Sequence, residues 1–314
     1  MPFSLVFAAT SWLRRRFYVW GWLGRTRMPV PVIVVGNLTA GGTGKTPLAI
    51  WLVEMLRAQG YRPGIVSRGY GVRTARVRAV EPSGDPSLVG DEPVLLARRT
   101  RCPVWVGRNR VEAATSLLAQ HPDVDVIVAD DGLQHYALDR DVEIIVVDGQ
   151  RRFGNGWCIP AGPLREGLDR LRQVDAVVVN GNGSLVEAAG PVYNMTLAGV
   201  QFTRLNHPGR VVLADYFSDR QVHALAGIGN PERFFANLAD MGLNVIRHAF
   251  PDHHIFRQED LPGGTLVMTE KDAVKCVAYT HPDAWVFTVD AQVSGGLERL
   301  ILNKLESRNG SQTA

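Results

Sequence analysis

Short apolar runs rich in valine and isoleucine punctuate the first part of the chain, at residues 31–36, 62–67, 103–106, 125–129, 143–148 and 175–180. Consecutive β-branched residues in runs of this length describe strands buried on both faces. Between them, residues 46–56, 91–97 and 110–120 space apolar side chains three and four apart, as amphipathic helices do. Asp91 and Glu92 open the second of these, where the free N–H groups of a first turn favour acidic residues. Strands alternating with helices predict an α/β fold whose mainly parallel sheet is covered on both faces. Ligands of such sheets gather beyond the carboxyl ends of the strands. Thr46, Asp130, Asp131, Asp148 and Asn180 fall at those ends, with Asn180 a candidate reader of a nucleobase.

A second, smaller α/β unit begins near residue 204. Its expected strands are 211–214, 222–228, 244–250, 265–269 and 285–289, with a helix at 231–241 that lines up Phe234, Phe235 and Leu238 and a short one from Glu270. The expected division is an N-terminal segment 1–28, a larger unit 29–203 and a smaller unit 204–295. A last helical pattern, 296–306, returns to the larger one. Residues 149–172 form a long glycine-rich loop carrying Arg151, Arg152 and Arg165. Loops of that length inside compact domains usually serve a function, and these arginines could close over phosphate.

The N-terminus inverts a familiar order. Residues 3–13 are mostly apolar, Arg14, Arg15 and Arg16 follow, and Phe17, Tyr18, Trp20 and Trp22 come after them. A secretory signal places its positive charge first, and the apolar run is too short to span a bilayer. On a helix, Val6, Leu13, Phe17 and Trp20 share a face beside the arginines. That mixture suits a helix lying in an anionic membrane interface. A helix packed on the protein's own core, its arginines solvated, is the other reading.

The richest chemistry lies in Gly36-Asn37-Leu38-Thr39-Ala40-Gly41-Gly42-Thr43-Gly44-Lys45-Thr46-Pro47. A strand, a glycine loop, Gly-Lys-Thr and a helix together make a phosphate cradle. Backbone N–H groups of residues 39–46 and the helix N-terminus face the anion, Lys45 adds charge, and the Thr46 hydroxyl can reach Mg²⁺. Thr39 stands where the general pattern has glycine, and Ala40 where partitioning-type ATPases carry an extra lysine. ATP and Mg²⁺ are the expected cofactors. Asp130 and Asp131 end an apolar strand and are the candidate metal ligands. An acceptor hydroxyl needs a base, and Asp91-Glu92 and Asp252-His253 are the candidates.

Composition narrows the field. A net charge of +3 over 314 residues gives no general attraction to nucleic acid. Cys102, Cys158 and Cys276 are far apart, without metal-ligand spacing, which fits a reducing compartment.

Taken together, the motifs resemble those of the tetraacyldisaccharide 4′-kinases, the lipid A 4′-kinases. The likeness rests on the cradle with its Thr39, on Ser67-Arg68-Gly69-Tyr70-Gly71, Gly90-Asp91-Glu92-Pro93 and Asp130-Asp131-Gly132-Leu133-Gln134-His135. It continues through Pro160-Ala161-Gly162-Pro163-Leu164-Arg165-Glu166, Phe250-Pro251-Asp252-His253-His254 and Thr269-Glu270-Lys271-Asp272. The resemblance implies transfer of the ATP γ-phosphate to the 4′-hydroxyl of an acylated disaccharide 1-phosphate, giving lipid IVA. It also implies a monomer working peripherally at the cytoplasmic face of the bacterial inner membrane, held there by the N-terminal helix. Asp91 would be the base with His253, directly after Asp252, as its partner. Thr46 and Glu92 would approach Mg²⁺, and Arg68, His135 and Arg165 are candidate substrate contacts. The smaller domain would hinge on a strand pair and close over ATP. A membrane-associated partitioning-type ATPase and a small-molecule kinase or synthetase are the alternatives the residues alone leave open.

Overall fold

The computed structural model describes residues 1–69, 76–181, 183 and 188–312; Tyr70 and Gly71 of the quoted motif lie outside them. The chain opens with helix α1, Pro2–Val19, and then alternates as the apolar runs predict. Strand β1 (Val32–Gly36) leads into helix α2 (Lys45–Ala58), and β2 (Pro63–Ser67) is followed by the short β3 (Arg78–Ala79). Helices α3 (Pro86–Val89) and α4 (Asp91–Thr100) precede β4 (Val104–Val106), α5 (Arg110–Gln120), β5 (Val126–Asp130), β6 (Val142–Asp148) and β7 (Ala176–Asn180). Every residue of β1, β2, β5 and β7 is buried, as unbroken apolar strands between two helix layers must be. Strand order here is β7-β6-β1-β5-β2-β4-β3, parallel except for β3.

Strand β8 (Val192–Arg204) and its hairpin partner β9 (His207–Val212) come next. The strand expected at 211–214 therefore lies earlier, and a 3₁₀ turn at Ala214–Phe217 takes the place of its end. Then β10 (Gln221–Ala226), α6 (Pro231–Asp240), β11 (Asn244–Ala249), β12 (Thr265–Thr269), α7 (Glu270–Cys276) and β13 (Ala284–Val293) build a second parallel stretch in the order β11-β10-β12-β13. Helix α8, Leu297–Gln312, closes the chain.

The two stretches are one 13-stranded sheet. Strand β8 pairs in parallel with β7 through Val192–Met195 and antiparallel with β13 from Met195 to Arg204. The ribbon β8–β13 is thus the covalent and hydrogen-bonded link between the halves. The sequence does not announce β8, because its burial is irregular and Gly199 interrupts it. Helix α8 puts Leu297, Ile301 and Leu305 into the same core as Ile33, Leu48 and Ile144 of the larger half.

Helix α1 is seated with an unusual face inward. Ser4, Phe7, Ala8, Ser11, Arg15 and Tyr18 face the protein at three- and four-residue spacing, and only Ser4 and Arg15 are buried outright. Ser4 Oγ accepts the Ala161 N–H at 2.9 Å, Arg15 pairs with Asp169 at 2.7 Å, and Tyr18 stacks near Tyr136. Phe3, Val6, Trp12, Leu13, Trp20 and Trp22 face outward and are exposed. No helix among the described residues is long and apolar enough to cross a membrane.

Candidate active site

The cradle forms at the carboxyl end of β1, and its shape is built from inside. The Asn37 amide donates to the carbonyls of Thr39 (2.7 Å) and Gly41 (3.3 Å) and lies 3.3 Å from Thr43 Oγ1. From the far side, the Asn180 amide donates to the Thr43 carbonyl at 2.9 Å, and its oxygen accepts from Arg233 at 3.0 Å. Asn180, which also lines the cleft, thus braces the loop and Arg233. Left-handed backbone in the loop falls at Gly41 and Gly44. Thr39 has no such need: it is buried and bridges to Leu164, while Ala40 N–H donates to the Pro163 carbonyl at 2.8 Å. Part of the long 149–172 loop thus backs the cradle, which is why a threonine serves where glycine is usual.

Two adjacent aspartates at the end of β5 diverge. Asp130 is fully buried; Ser67 Oγ lies 3.4 Å from one oxygen and the other has no hydrogen-bond partner. Burial, with the neighbouring Glu92 carboxylate, pushes its pKa up to about 7. Asp131, expected beside it as a metal ligand, turns elsewhere: its carboxylate lies 3.5 Å from Lys45 Nζ and 3.0 Å from Arg165. Burial alone would raise its pKa, but Lys45 and Arg165 hold it below the ordinary value. A carboxylate already neutralised by two cations is a support for Lys45, so Asp130 is the better oxygen donor of the two.

Around Asp131 lies an arginine-rich patch that holds all three candidate substrate residues, with Arg165 paired to Asp131 itself. His135 Nε2 accepts the Arg110 N–H at 3.2 Å. Burial first, then Arg110, Arg140, Arg14 and Arg68, drives the His135 pKa down to about 4, so the ring is neutral. Arg68 is exposed nearby. Arg110, read from sequence only as the start of α5, is buried with its guanidinium on the carbonyls of Gly107, Arg108 and Asp131. An arginine opening a helix that otherwise buries only alanine and leucine was the available signal.

The base candidates meet across the sheet halves. Asp91 is the first residue of α4, and both its oxygens lie near His253 Nδ1, at 3.1 and 3.0 Å. Burial raises the Asp91 pKa, but the hydrogen bond from His253 and the charges of Lys271 and Lys275 outweigh it and leave it below the usual value. For His253 burial lowers the pKa, and the Asp91 contact more than reverses this. His253 adopts φ 60°, a strained backbone for a non-glycine residue, and its N–H is held by the Gly227 carbonyl. His254, by contrast, faces Asp260 at 3.2 Å, away from Asp91.

Further contacts join α4 to α7. Lys271 reaches Glu92 at 3.0 Å and Asp252 at 3.2 Å. Arg99 makes a two-pronged pair with Glu270 at 2.7 and 2.8 Å and also meets Asp290. Between the halves opens a cleft enclosing about 1160 Å³, part of it open to solvent. Gly42–Pro47 and Glu92 form one wall, and Gly229, Arg233, Phe234 and Lys271 face them. Charge at one end and apolar surface at the other suit a nucleoside polyphosphate.

Likeness to known proteins identifies the family. The model of the family described as tetraacyldisaccharide-1-P 4′-kinase matches residues 1–306. The chain belongs to that family. A tetraacyldisaccharide 4′-kinase of Aromatoleum aromaticum is 51% identical over 313 residues, covering 97% of this chain and 92% of the relative. One from Dechloromonas aromatica is 49% identical over 314 residues, covering 98% and 92%. Among solved structures, an "apo" form of LpxK from Aquifex aeolicus in complex with ATP superimposes with a TM-score of 0.82 at 28% identity, covering 97% of this chain and 98% of that one. The family membership implied by the motifs is thereby borne out, as are the α/β fold and the activity, a tetraacyldisaccharide 4′-kinase of lipid A biosynthesis.

Among the described residues of this family member, no three His, Cys, Asp or Glu side chains by themselves make a metal cage. Mg²⁺ seldom needs one, since it keeps waters and phosphate oxygens as ligands. The buried, unpartnered oxygen of Asp130 suits a hard cation; Thr46 and Glu92 line the cleft, and Asp130 itself is fully buried.

Proposed function

We propose that this kinase takes ATP in the cleft and passes its γ-phosphoryl group to the 4′-hydroxyl of the acylated disaccharide phosphate, with Asp91 as the base and His253 as its partner. Asp91 accepts the hydroxyl proton as the new O–P bond forms and the bridging O–P bond of ATP breaks. A carboxylate with a depressed pKa is ionised at neutral pH but a weak base by itself; its hydrogen bond to His253 keeps it turned to the site and makes up for part of that weakness by orientation. Residues 39–46 hold the phosphates, and Lys45 balances the charge of the transferring group. Thr46, Glu92 and Asp130 would hold Mg²⁺, which when bound neutralises phosphate charge. Arg68, His135 and Arg165 line the approach of the disaccharide phosphate. Residues 29–203 with α8, and 204–295, act as two domains that close on the β8–β13 ribbon.

Helix α1 docks the monomeric enzyme on the cytoplasmic face of the inner membrane. Its outward Trp, Phe and Leu side chains beside Arg14 and Arg16 support this: the amphipathic wheel faces the wrong way for a helix meant only to cover a core.

The observation that carries the catalytic reading is the contact of Asp91 and His253, which lie 162 residues apart and on opposite halves of the sheet. The test is a double-mutant cycle in detergent with acylated disaccharide 1-phosphate as acceptor. Asp91→Ala and His253→Ala should each lower kcat by about a hundredfold to ten-thousandfold with little change in KM for ATP. The double variant should be hardly worse than the worse single one. Losses that multiply would refute a shared role.

A further inference from the structure

Lys271 is the second residue of α7, and no motif assigned it a task. Its ammonium sits 3.4 Å from His253 Nε2, on the opposite side of the ring from Asp91, and is anchored by Glu92 and Asp252. An ammonium has hydrogens to give and no lone pair to offer, whereas a neutral imidazole has one nitrogen of each kind. The Lys271 ammonium at 3.4 Å, nearer than the Asp252 oxygen at 3.8 Å, favours Nε2 as the accepting nitrogen. The ring hydrogen then sits on Nδ1, against the two Asp91 oxygens. The opposite tautomer would put N–H against the ammonium and a lone pair against the carboxylate.

We propose that Lys271 is a positioning residue for phosphoryl transfer, fixing His253 as the Nδ1–H tautomer so that the imidazole donates to Asp91 and turns the base toward the acceptor hydroxyl. The arrangement depends on α7 lying against α4. Glu270, the preceding residue, is clamped to Arg99 of α4. One turn holds Lys271 from behind: Thr269 Oγ1 accepts the Asp272 N–H at 3.2 Å, and the Asp272 carboxylate accepts the Gly227 N–H at 3.0 Å. Paired with Glu92 and Asp252, the ammonium is held as a fixed donor and moves no proton itself. Among the described residues, charged groups facing the imidazole include Asp91, Asp252 and Lys271, with Lys275 behind Asp91. The base is thus correctly aimed only when both halves of the sheet contribute, which couples the chemistry to closure.

This inference rests on the Asp91–His253 reading, and the experiment separates the two. Steady-state kinetics are compared for wild type, His253→Ala, Lys271→Met and Lys271→Arg, with Lys271→Ala as a smaller second variant. Histidine-labelled ¹⁵N spectra of each folded protein at mildly alkaline pH report which ring nitrogen of His253 carries the hydrogen. Lys271→Met should lower kcat about ten- to a hundredfold, as losing the partner that orients a functional histidine does. KM for ATP should hold within about threefold, the mark of an interaction made chiefly in the transition state. Lys271→Arg, which keeps a cationic donor, should recover most of the loss. The His253 signal should be Nδ1–H in wild type and a tautomer mixture in Lys271→Met. Wild-type kcat, or an unchanged Nδ1–H signal, in Lys271→Met and Lys271→Ala overturns the inference if His253→Ala is crippled. Full activity in His253→Ala would instead overturn the underlying reading and this inference with it.

Discussion

Gly44 sits at the mouth of the cradle with φ +96°, and a Cβ built there would lie 2.4 Å from Asn180 Nδ2 and 3.0 Å from Met195 Cε. Alanine at this position therefore costs twice. The left-handed backbone costs an L-residue about 1–2 kcal/mol. The collision falls on a side chain that cannot simply swing aside, because Asn180 is buried and holds both Thr43 and Arg233. Displacing it breaks two hydrogen bonds, each worth about 0.5–1.5 kcal/mol. Gly242 supplies the control: φ is +86° and nothing lies within 4 Å of its missing Cβ. Gly44→Ala should thus be destabilised by about 2–5 kcal/mol and Gly242→Ala by the strain alone, about 1–2 kcal/mol. Urea titrations followed by tryptophan fluorescence measure both, read as midpoints at a common slope. In an Asn180→Ala background the obstacle is gone, so the added cost of Gly44→Ala should shrink toward that of Gly242→Ala. Equal losses at the two glycines, or full additivity with Asn180→Ala, would show that Asn180 does not brace the cradle.

Two further expectations concern the surface helix and pH. Replacing Phe3, Trp12 and Trp22 with serine should weaken binding to anionic vesicles about tenfold or more while leaving the melting temperature nearly unchanged, since these side chains contribute outward apolar area and little core; unaltered vesicle binding in sedimentation would count against the membrane role. His135, held near pKa 4 when folded against 6.5 when free, takes up its proton preferentially in the unfolded chain between those values. Acidification from pH 6.5 to 4 should therefore cost wild type up to about 2 kcal/mol relative to His135→Gln, after allowing for the ring's partial exposure; parallel stability curves for the two proteins would contradict the burial and arginine field assigned to this ring.

Local patterning carried much of the fold into view. Strands such as 125–129 and 175–180 declare themselves because a strand buried on both faces needs apolar residues at every position. The cradle is equally local, since its glycines and Lys45 are contiguous. Strand β8 was illegible because a ribbon exposed along much of both faces imposes no pattern on its residues. The seat of α1 escaped for a related reason. Its inward stripe is Ser4, Ser11 and Arg15 as much as Phe7, and only the partners Ala161 and Asp169, distant in sequence, make those polar residues buriable. The divergence of Asp130 from Asp131 likewise depends on which cations other elements bring, and adjacent letters cannot state that. Lys271 lay within a quoted motif, yet its meaning required Glu92 and His253 to be placed beside it.

The position of α8 bears on how the protein is made. Leu297, Ile301 and Leu305 complete a core built mostly from the larger half, with Val274 and Ala291 added by the smaller one, yet they are synthesised after both. On the ribosome, then, the segment from β1 to β7 emerges with an apolar groove that its own residues cannot fill, and it waits about a hundred residues for its last helix, ten seconds or so at ordinary rates of translation. The smaller half faces no such delay, because β10 to β13 and their helices leave the tunnel consecutively. Its early folding would bring β13 alongside β8 and deliver α8 to the open groove, so the nested half serves as an assembly jig for the one that surrounds it. Truncation just before Leu297 should accordingly leave a chain that chaperones retain, with the phosphate-binding half unfinished.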